Sequence, residues 1–389
     1  MNILHITRER GSDIRYGIRK SLIPIIEAFK AKGHQVEIFD HKLSTQISSS
    51  KFELWLESVY LRFMHRKFRE EGELAWQILI ERVIIGRKAA KYAAVKNISH
   101  VHCHDPLLGY TYSLFAFFYG ATKCWGYTAH AFGRYVKLRV GITSSKKSIF
   151  ALQRWEKKAA LNAKWVFAPI KIGLTQMMYD LSLKTLPSNW HFVPHAVIKK
   201  TGNRNLCRKS LYLEEDQKLL LGVGQLIPMK RFSLLLEAIV LLPDSLKPYV
   251  LILGEGPEKE ALKLQAEQLG LSERFEIRVT DNIGKFFSAA DIYISVSSTE
   301  SFGMANCEAV LAGVPSVCTA VDAIPELLSQ CAVMINDKPV DIAFALMKLL
   351  TSEPERNNLV KQANSISRLW PDQNKIALMM EQIYERCKT

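Results

Sequence analysis

Apolar and polar positions alternate in blocks along this chain, and the blocks predict strands and helices in succession. Asn2-Ile-Leu-His-Ile-Thr7 is a short apolar run fit for a first strand. A polar loop from Arg8 to Tyr16, then Gly17, follows it. From Ser21 to Lys32 the apolar residues fall at 22, 25, 26 and 29, the spacing of one helical face. Gly33 stops that helix, and Gln35-Val-Glu-Ile-Phe39 reads as a second strand. Such a strand–helix–strand unit implies a parallel sheet covered by helices.

Residues 51 to 96 read as mostly helical, free of Gly and Pro apart from Gly72 and Gly86. His100-Val-His-Cys-His104, Lys123 to Thr128, Trp165 to Pro169 and His191 to His195 read as further strands. The polar, basic stretch 198–215 reads as a linker. The same grammar then restarts. Lys218 to Gly224, Tyr249 to Gly254, Phe275 to Arg278 and Asp291 to Ser297 are predicted strands. Phe232 to Leu242, Glu258 to Leu269 and Ile283 to Ala290 are the helices between them. Two successive α/β halves predict two Rossmann-like domains facing a central cleft. A length of 389 residues agrees, since one hydrophobic core rarely serves so long a chain.

Composition narrows the class. Hydrophobic residues at 48% and charged residues at 23% are ordinary for a soluble globular protein. No run approaches the roughly 20 apolar residues that span a bilayer, and the first residues do not form a signal peptide. Seven scattered cysteines without a Cys-x-x-Cys argue against a disulfide framework or a zinc site and fit a reducing cytosol. Charge is divided unevenly. Residues 1–200 carry 32 Lys and Arg against 14 Asp and Glu, a net of +18, while residues 201–389 carry 20 against 24, a net of −4. The basic half should attract anionic partners: acidic lipid, nucleic acid or a phosphorylated substrate. No known nucleic-acid module is visible, so nucleic acid is not an expected partner.

In open α/β sheets, ligands bind beyond the carboxyl ends of the strands. In the second half those ends carry Gly224-Gln225-Leu-Ile-Pro-Met-Lys230-Arg231, Gly254-Glu-Gly256-Pro257, Ser298-Thr-Glu300-Ser301-Phe302-Gly303-Met304, and Ala320 to Glu326. Together they offer close backbone approach at glycines, cations, helix-start amides and two carboxylates, Glu300 and Glu308. Cations and amides suit phosphates. Carboxylates suit sugar hydroxyls. The set therefore points to a nucleotide-diphosphate sugar.

These residues resemble a known family. Gly-Gln-Leu-Ile-Pro-Met-Lys230, Gly254-Glu-Gly-Pro, Ala289-Ala-Asp291, and Glu300-x-Phe-Gly-x-x-x-x-Glu308-Ala-x-x-x-Gly313-x-Pro315 look like the retaining family 4 glycosyltransferases of the GT-B fold. The likeness covers roughly residues 200–370. His102-Cys-His104-Asp105, Tyr127-Thr-Ala-His130 and Trp155-Glu156 add weaker support. The resemblance implies an acceptor-binding domain over 1–197, a donor-binding domain over 198–369, and a terminal helix over 370–389 packed back on the first. It implies that Glu308 holds the ribose, that Glu300 and the Phe302-Gly303-Met304 amides orient the sugar, and that Lys230 neutralises the diphosphate. Gly224, Gln225, Arg231, Gly256 and Ser301 complete the donor set. His130 would lie beside the donor sugar, and Arg15, Tyr16, Gly17 and His104 would shape the acceptor site. The implied reaction retains anomeric configuration, uses no metal and no cofactor, and takes UDP or GDP as the nucleotide. The expected acceptor is a lipid-linked envelope saccharide, as in polysaccharide or lipopolysaccharide synthesis, at the inner face of the membrane.

Two departures stand out. Gln225 replaces a common Arg, and Asp322-Ala323 replaces a Gly-Gly before Ile-Pro-Glu. Two alternatives stay in view: a nucleotide-sugar epimerase or phosphorylase-like enzyme of the same fold, and a catalytically weak carbohydrate- or lipid-binding protein, which these departures alone support. Plainer readings of single residues also stand. Lys230 could be a solvated lysine, His130 a satisfied core group, and Asp105-Pro106 a turn and helix start. The segment Lys51 to Arg69, basic and aromatic, is either a core-facing helix or one that rests on anionic lipid.

Overall fold

The computed structural model describes residues 1–9, 18–68, 73–131 and 146–388. It divides into two compact units, Met1–Ala196 with Gln373–Thr389, and Val197–Asp372. Each is built on one six-stranded parallel sheet.

In the first unit the strands are β1 (Asn2–Ile6), β2 (Gln35–Phe39), β3 (His100–Cys103), β4 (Trp125–Thr128), β5 (Val166–Ala168) and β6 (Trp190–Phe192), in the order β2-β1-β3-β4-β5-β6. Every residue of β3 and β4 is buried. That explains why they read as continuous apolar runs rather than alternating ones. Gly126 lets β4 lie close to β5, because a Cβ there would stand 2.3 Å from the Trp165 carbonyl oxygen. The helical stretch predicted over 51–96 is two helices, Lys51–Phe68 and Glu73–Val95.

The chain end belongs to this first unit. The helix Gln373–Glu385 buries Ile376, Ala377, Met380 and Tyr384 in one cluster with Leu22, Ile25, Ile26 and Phe29 of the helix Ile18–Ala31. Its Glu381 pairs with Lys32, and with His34 at 2.7 Å. Cys124 and Cys387 are joined by a disulfide. This corrects the cysteine argument above: spacing along the chain missed a pair 263 residues apart, because the docking of the last helix is what brings them together. Cysteine usage therefore no longer speaks for a reducing compartment.

The second unit holds β7 (Leu219–Val223), β8 (Tyr249–Leu253), β9 (Phe275–Arg278), β10 (Ile292–Ser295), β11 (Ser316–Thr319) and β12 (Val333–Ile335), in the order β12-β11-β10-β7-β8-β9. The order reverses between β7 and β10, which opens a crevice at their carboxyl ends. The expected linker is partly a helix, Arg204–Ser210, capped by Asn203. Arg204 and Arg208 tie it to Asp291 at 2.8 and 3.2 Å. Asp291 also accepts from the Leu219 N–H, 2.8 Å away, so one carboxylate joins this helix to the start of β7.

Candidate functional site

The crevice at the β7–β10 reversal gathers most of the predicted donor residues. After β7 the chain makes a tight approach to the loop after β8: a Cβ on Gly254 would lie 1.9 Å from the Gly224 carbonyl oxygen, and one on Gly256 2.4 Å from that of Leu226. Only glycines allow this contact. A Cβ on Gly224 would meet Lys230 Cε at 3.3 Å, so Gly224 leaves the lysine stem room to lie across the strand end.

Lys230 forms a close ion pair with Glu300 Oε1. The same oxygen accepts from Ser297 Oγ at 2.8 Å. Glu300 is therefore held from two sides at the end of β10. Ser301 and Phe302 follow it, and Gly303 adopts a left-handed φ of 73° as the N-cap of the helix Met304–Leu311. A side chain at 303 would strike Ile324 Cδ1 at 2.6 Å. Glu308, one turn into that helix, is almost fully buried, and Lys200 Nζ stands 2.9 Å from its Oε1. Lys200 lies in the stretch read as a linker, and nothing in its local sequence marked it.

Arg231 is placed differently from its expected role. Its backbone takes a left-handed φ of 49°. Its guanidinium donates to the carbonyls of Val296 and Ser297, at 2.8 and 2.9 Å, and pairs with Asp337 at 2.8 Å. It is a strut between the loop after β7 and the end of β10. Gln225 is exposed. Asp322 accounts for one departure: it adopts φ 44°, the conformation a glycine would supply, and its carboxylate accepts from the Glu300 N–H at 3.1 Å and from the Thr299 hydroxyl. A short polar side chain tolerates that backbone.

The first unit carries the histidines. Arg15, Tyr16 and Gly17 lie outside the described residues. His104 is buried at the end of β3, with Nε2 3.1 Å from His5 Nδ1 and Nδ1 2.8 Å from His130 Nε2. His130, just past β4, also stacks on His195 with ring centroids 5.2 Å apart. His102 has both nitrogens fixed. Its Nδ1 accepts from the Trp165 indole N–H at 3.1 Å and lies 2.8 Å from the Tyr384 hydroxyl, while its Nε2 meets Thr128 Oγ1 at 2.8 Å. An indole can only donate, so the His102 proton sits on Nε2. Burial holds the pKa of His5 down to about 3 and those of His102 and His104 well below the ordinary value, with neighbouring histidines adding to the latter two. All three are neutral.

Asp105 follows the plainer reading. It caps the helix Pro106–Tyr119 by accepting from the Leu108 N–H at 3.0 Å. It also takes two bonds from Arg82, at 3.1 and 2.9 Å, with both side chains buried. Among the described residues no group of three or more His, Cys, Asp and Glu is arranged to hold a metal ion. Sequence patterning missed Lys200 and His5, because each acquires its partner from a distant segment, and Ser297, whose bond to Glu300 three positions on depends on the fold of the strand-end turn.

Two parallel six-stranded sheets with flanking helices are the GT-B glycosyltransferase architecture. Residues 203–365 match the family described as glycosyl transferases group 1. N-acetyl-alpha-D-glucosaminyl L-malate synthase of Bacillus anthracis is 25% identical over 208 residues, 52% of this chain and 54% of that protein. D-inositol 3-phosphate glycosyltransferase of Mycolicibacterium vanbaalenii is 30% identical over 174 residues, 39% of this chain and 38% of that protein. The chain thus spans about half or less of the length of these relatives. Among solved structures, Anabaena Alr3699/HepE in complex with UDP and glucose superposes with a TM-score of 0.74 at 15% identity, covering 99% of this chain and all of that one. WaaG, a glycosyltransferase involved in lipopolysaccharide biosynthesis, gives 0.70 at 15% identity, covering 98% and 99%. At such identities the likeness speaks for the fold.

Proposed function

We propose that the protein transfers a hexose from a nucleotide-diphosphate sugar, UDP- or GDP-linked, to a saccharide acceptor with retention of anomeric configuration. The observation that carries this reading is the Lys230–Glu300 pair beside the buried Glu308, at the strand-order reversal of the second sheet. HepE, the structural relative holding UDP and glucose, supports the donor class. In this reading the ribose hydroxyls donate to Glu308 and displace Lys200 from it. The diphosphate takes Lys230, and Glu300 turns to the hexose with the Phe302, Gly303 and Met304 amides. The barrier is charge growing on the departing diphosphate as the anomeric carbon becomes oxocarbenium-like. A fixed ammonium and helix-start amides stabilise that charge without reorganising. The family resemblance gives His130, in the first unit, a role toward the donor sugar. No metal or cofactor is assigned.

Nucleotide-induced thermal stabilisation tests the donor site. UDP or GDP should raise the melting temperature of the wild type, and Glu308→Gln should weaken that binding by about tenfold to a hundredfold. If neither nucleotide stabilises the protein, the donor reading is wrong.

The acceptor we propose is held on a lipid carrier at an anionic membrane face. The helix Lys51–Phe68 supports this: Phe52, Trp55 and Val59 are exposed at helical spacing, in a half of the chain carrying +18. Among the described residues no helix is long and apolar enough to cross a membrane. Flotation with anionic vesicles at low salt should carry the protein upward, and Trp55→Glu with Phe52→Glu should abolish it. Flotation unchanged by that double substitution would remove this helix from the proposal.

A further inference from the structure

The chain His5···His104···His130 runs through the interior of the first unit, from the middle of β1 past β3 to the end of β4. We propose that His5 and His104 are positioning residues that hold His130 with its proton on Nδ1, so that His130 presents an N–H donor there and accepts through Nε2.

The reasoning starts at His104. Both of its ring nitrogens are engaged by histidines, at 3.1 and 2.8 Å. A neutral imidazole has one N–H and one lone pair. One contact of His104 must therefore be given and the other received, and the whole chain runs in a single direction. In one direction His5 Nδ1–H donates to His104 Nε2, and His104 Nδ1–H donates to His130 Nε2. In the other, His130 donates to His104 and His104 to His5, which places the second His5 proton on Nε2.

His5 Nε2 decides between them. It is buried and, among the described residues, has no hydrogen-bond partner. In the first direction this atom is a bare lone pair. In the second it is an N–H stripped of water with nothing to donate to. Orphaned buried donors are rarer in folded proteins than under-used acceptors, because an N–H has only one bond to make. The chain therefore runs outward from His5 to His130. Burial reinforces this by keeping His5 and His104 uncharged. His102 does not divert the chain, since both its nitrogens are spent on Thr128, Trp165 and Tyr384. His104, expected to touch an acceptor, acts instead through His130.

The catalytic consequence rests on the transferase reading above; the proton assignment does not. The direct test is a long-range proton–nitrogen correlation spectrum of the full chain labelled with 15N-histidine, with the His130 signals identified by their loss in His130→Gln. A protonated Nδ1 and bare Nε2 on His130 in the wild type are expected; a protonated Nε2 overturns the proposal, and this reading needs no change to the buried chain. In His104→Leu the His130 proton should redistribute between its nitrogens. Transfer should fall roughly tenfold in kcat with the KM for nucleotide sugar unchanged, the effect of one directed hydrogen bond. His104→Asn, whose amide N–H stands near the position of the lost Nδ1–H, should restore the wild-type spectrum and most of kcat. A His130 spectrum identical in wild type and His104→Leu would also overturn the proposal. If His130→Gln leaves transfer intact while the spectrum is as expected, the transferase role of His130 fails and its tautomer assignment stands.

Discussion

Single residues in the second unit show how small the margin for change is. Gly303 needs φ 73°, and its missing Cβ makes room for Ile324. Gly303→Ala is expected to destabilise the unit by roughly 1–3 kcal/mol, through left-handed strain and overpacking together. Differential unfolding of that variant in urea measures it, and an unchanged midpoint would contradict the strain. Lys230 offers a test of a different kind. On the proposed reading, Lys230→Ala removes the cation that would meet the leaving diphosphate and is expected to lower kcat by about a hundredfold or more. Single-turnover transfer would show it, and a loss confined to KM would mean that the lysine binds the ground state only. The placement of these residues was half legible in the sequence. Glu300, Glu308 and Lys230 sit within an ordered pattern of strand ends and turn residues. Arg231 sat in the same pattern, yet its guanidinium is consumed by the carbonyls of Val296 and Ser297. Residue order cannot tell a cation facing a ligand from one facing the backbone.

At the scale of elements, what could be read and what could not have separate causes. Strands such as β7 and β8 were legible because a parallel strand buried on both faces must be a continuous apolar run. The helix Arg204–Ser210 was not, since its residues are polar and its anchor is a carboxylate more than eighty positions away. That anchor makes a prediction. Asp291→Ala leaves Arg204 and Arg208 without their shared partner and frees the Leu219 N–H at the head of β7. A loss of about 2 kcal/mol is expected, below that of a fully buried pair because Arg204 is partly solvated. In a unit of this size that lowers Tm by roughly 4–8 °C. Calorimetry would detect it, and a shift under a degree would mean that the helix holds by packing alone. The terminal helix Gln373–Glu385 belongs to the same lesson. The family resemblance implied a helix here, but Tyr384 packing among His100, His102 and Trp165 could be seen only in the folded unit.

At the scale of the whole molecule, the buried histidines give the stability a direction in pH. His5, His102 and His104 are neutral in the fold because burial lowers their pKa values, to about 3 for His5. In the unfolded chain each titrates near its ordinary value of about 6.5. Below that pH the unfolded state binds more protons than the folded state, so stability rises with pH and is lost as pH falls. The contribution is complete above about pH 6.5 and drains through the interval beneath it. By pH 5 His5, held down to about 3, should have withdrawn about 2 kcal/mol, since one pH unit is worth about 1.4 kcal/mol per proton. His102 and His104, lowered for the same reason, add to that loss in a protein whose domains are ordinarily stable by only ~5–15 kcal/mol. The interval from pH 6.5 to 5 lies above the range in which most carboxylates titrate, so the loss there belongs to histidine. Urea unfolding followed by tryptophan fluorescence, with six of the seven tryptophans in the first unit, should show that unit weakening steeply across it. The second unit, with no histidine between residues 197 and 372, should change little over the same range. His102→Gln supplies the control: an amide cannot charge, so the slope should fall by close to one proton even if the starting stability is lower. Equal acid sensitivity in the two units would mean that these imidazoles reach water in the folded state, and the histidine chain would lose the dry surroundings on which its direction depends.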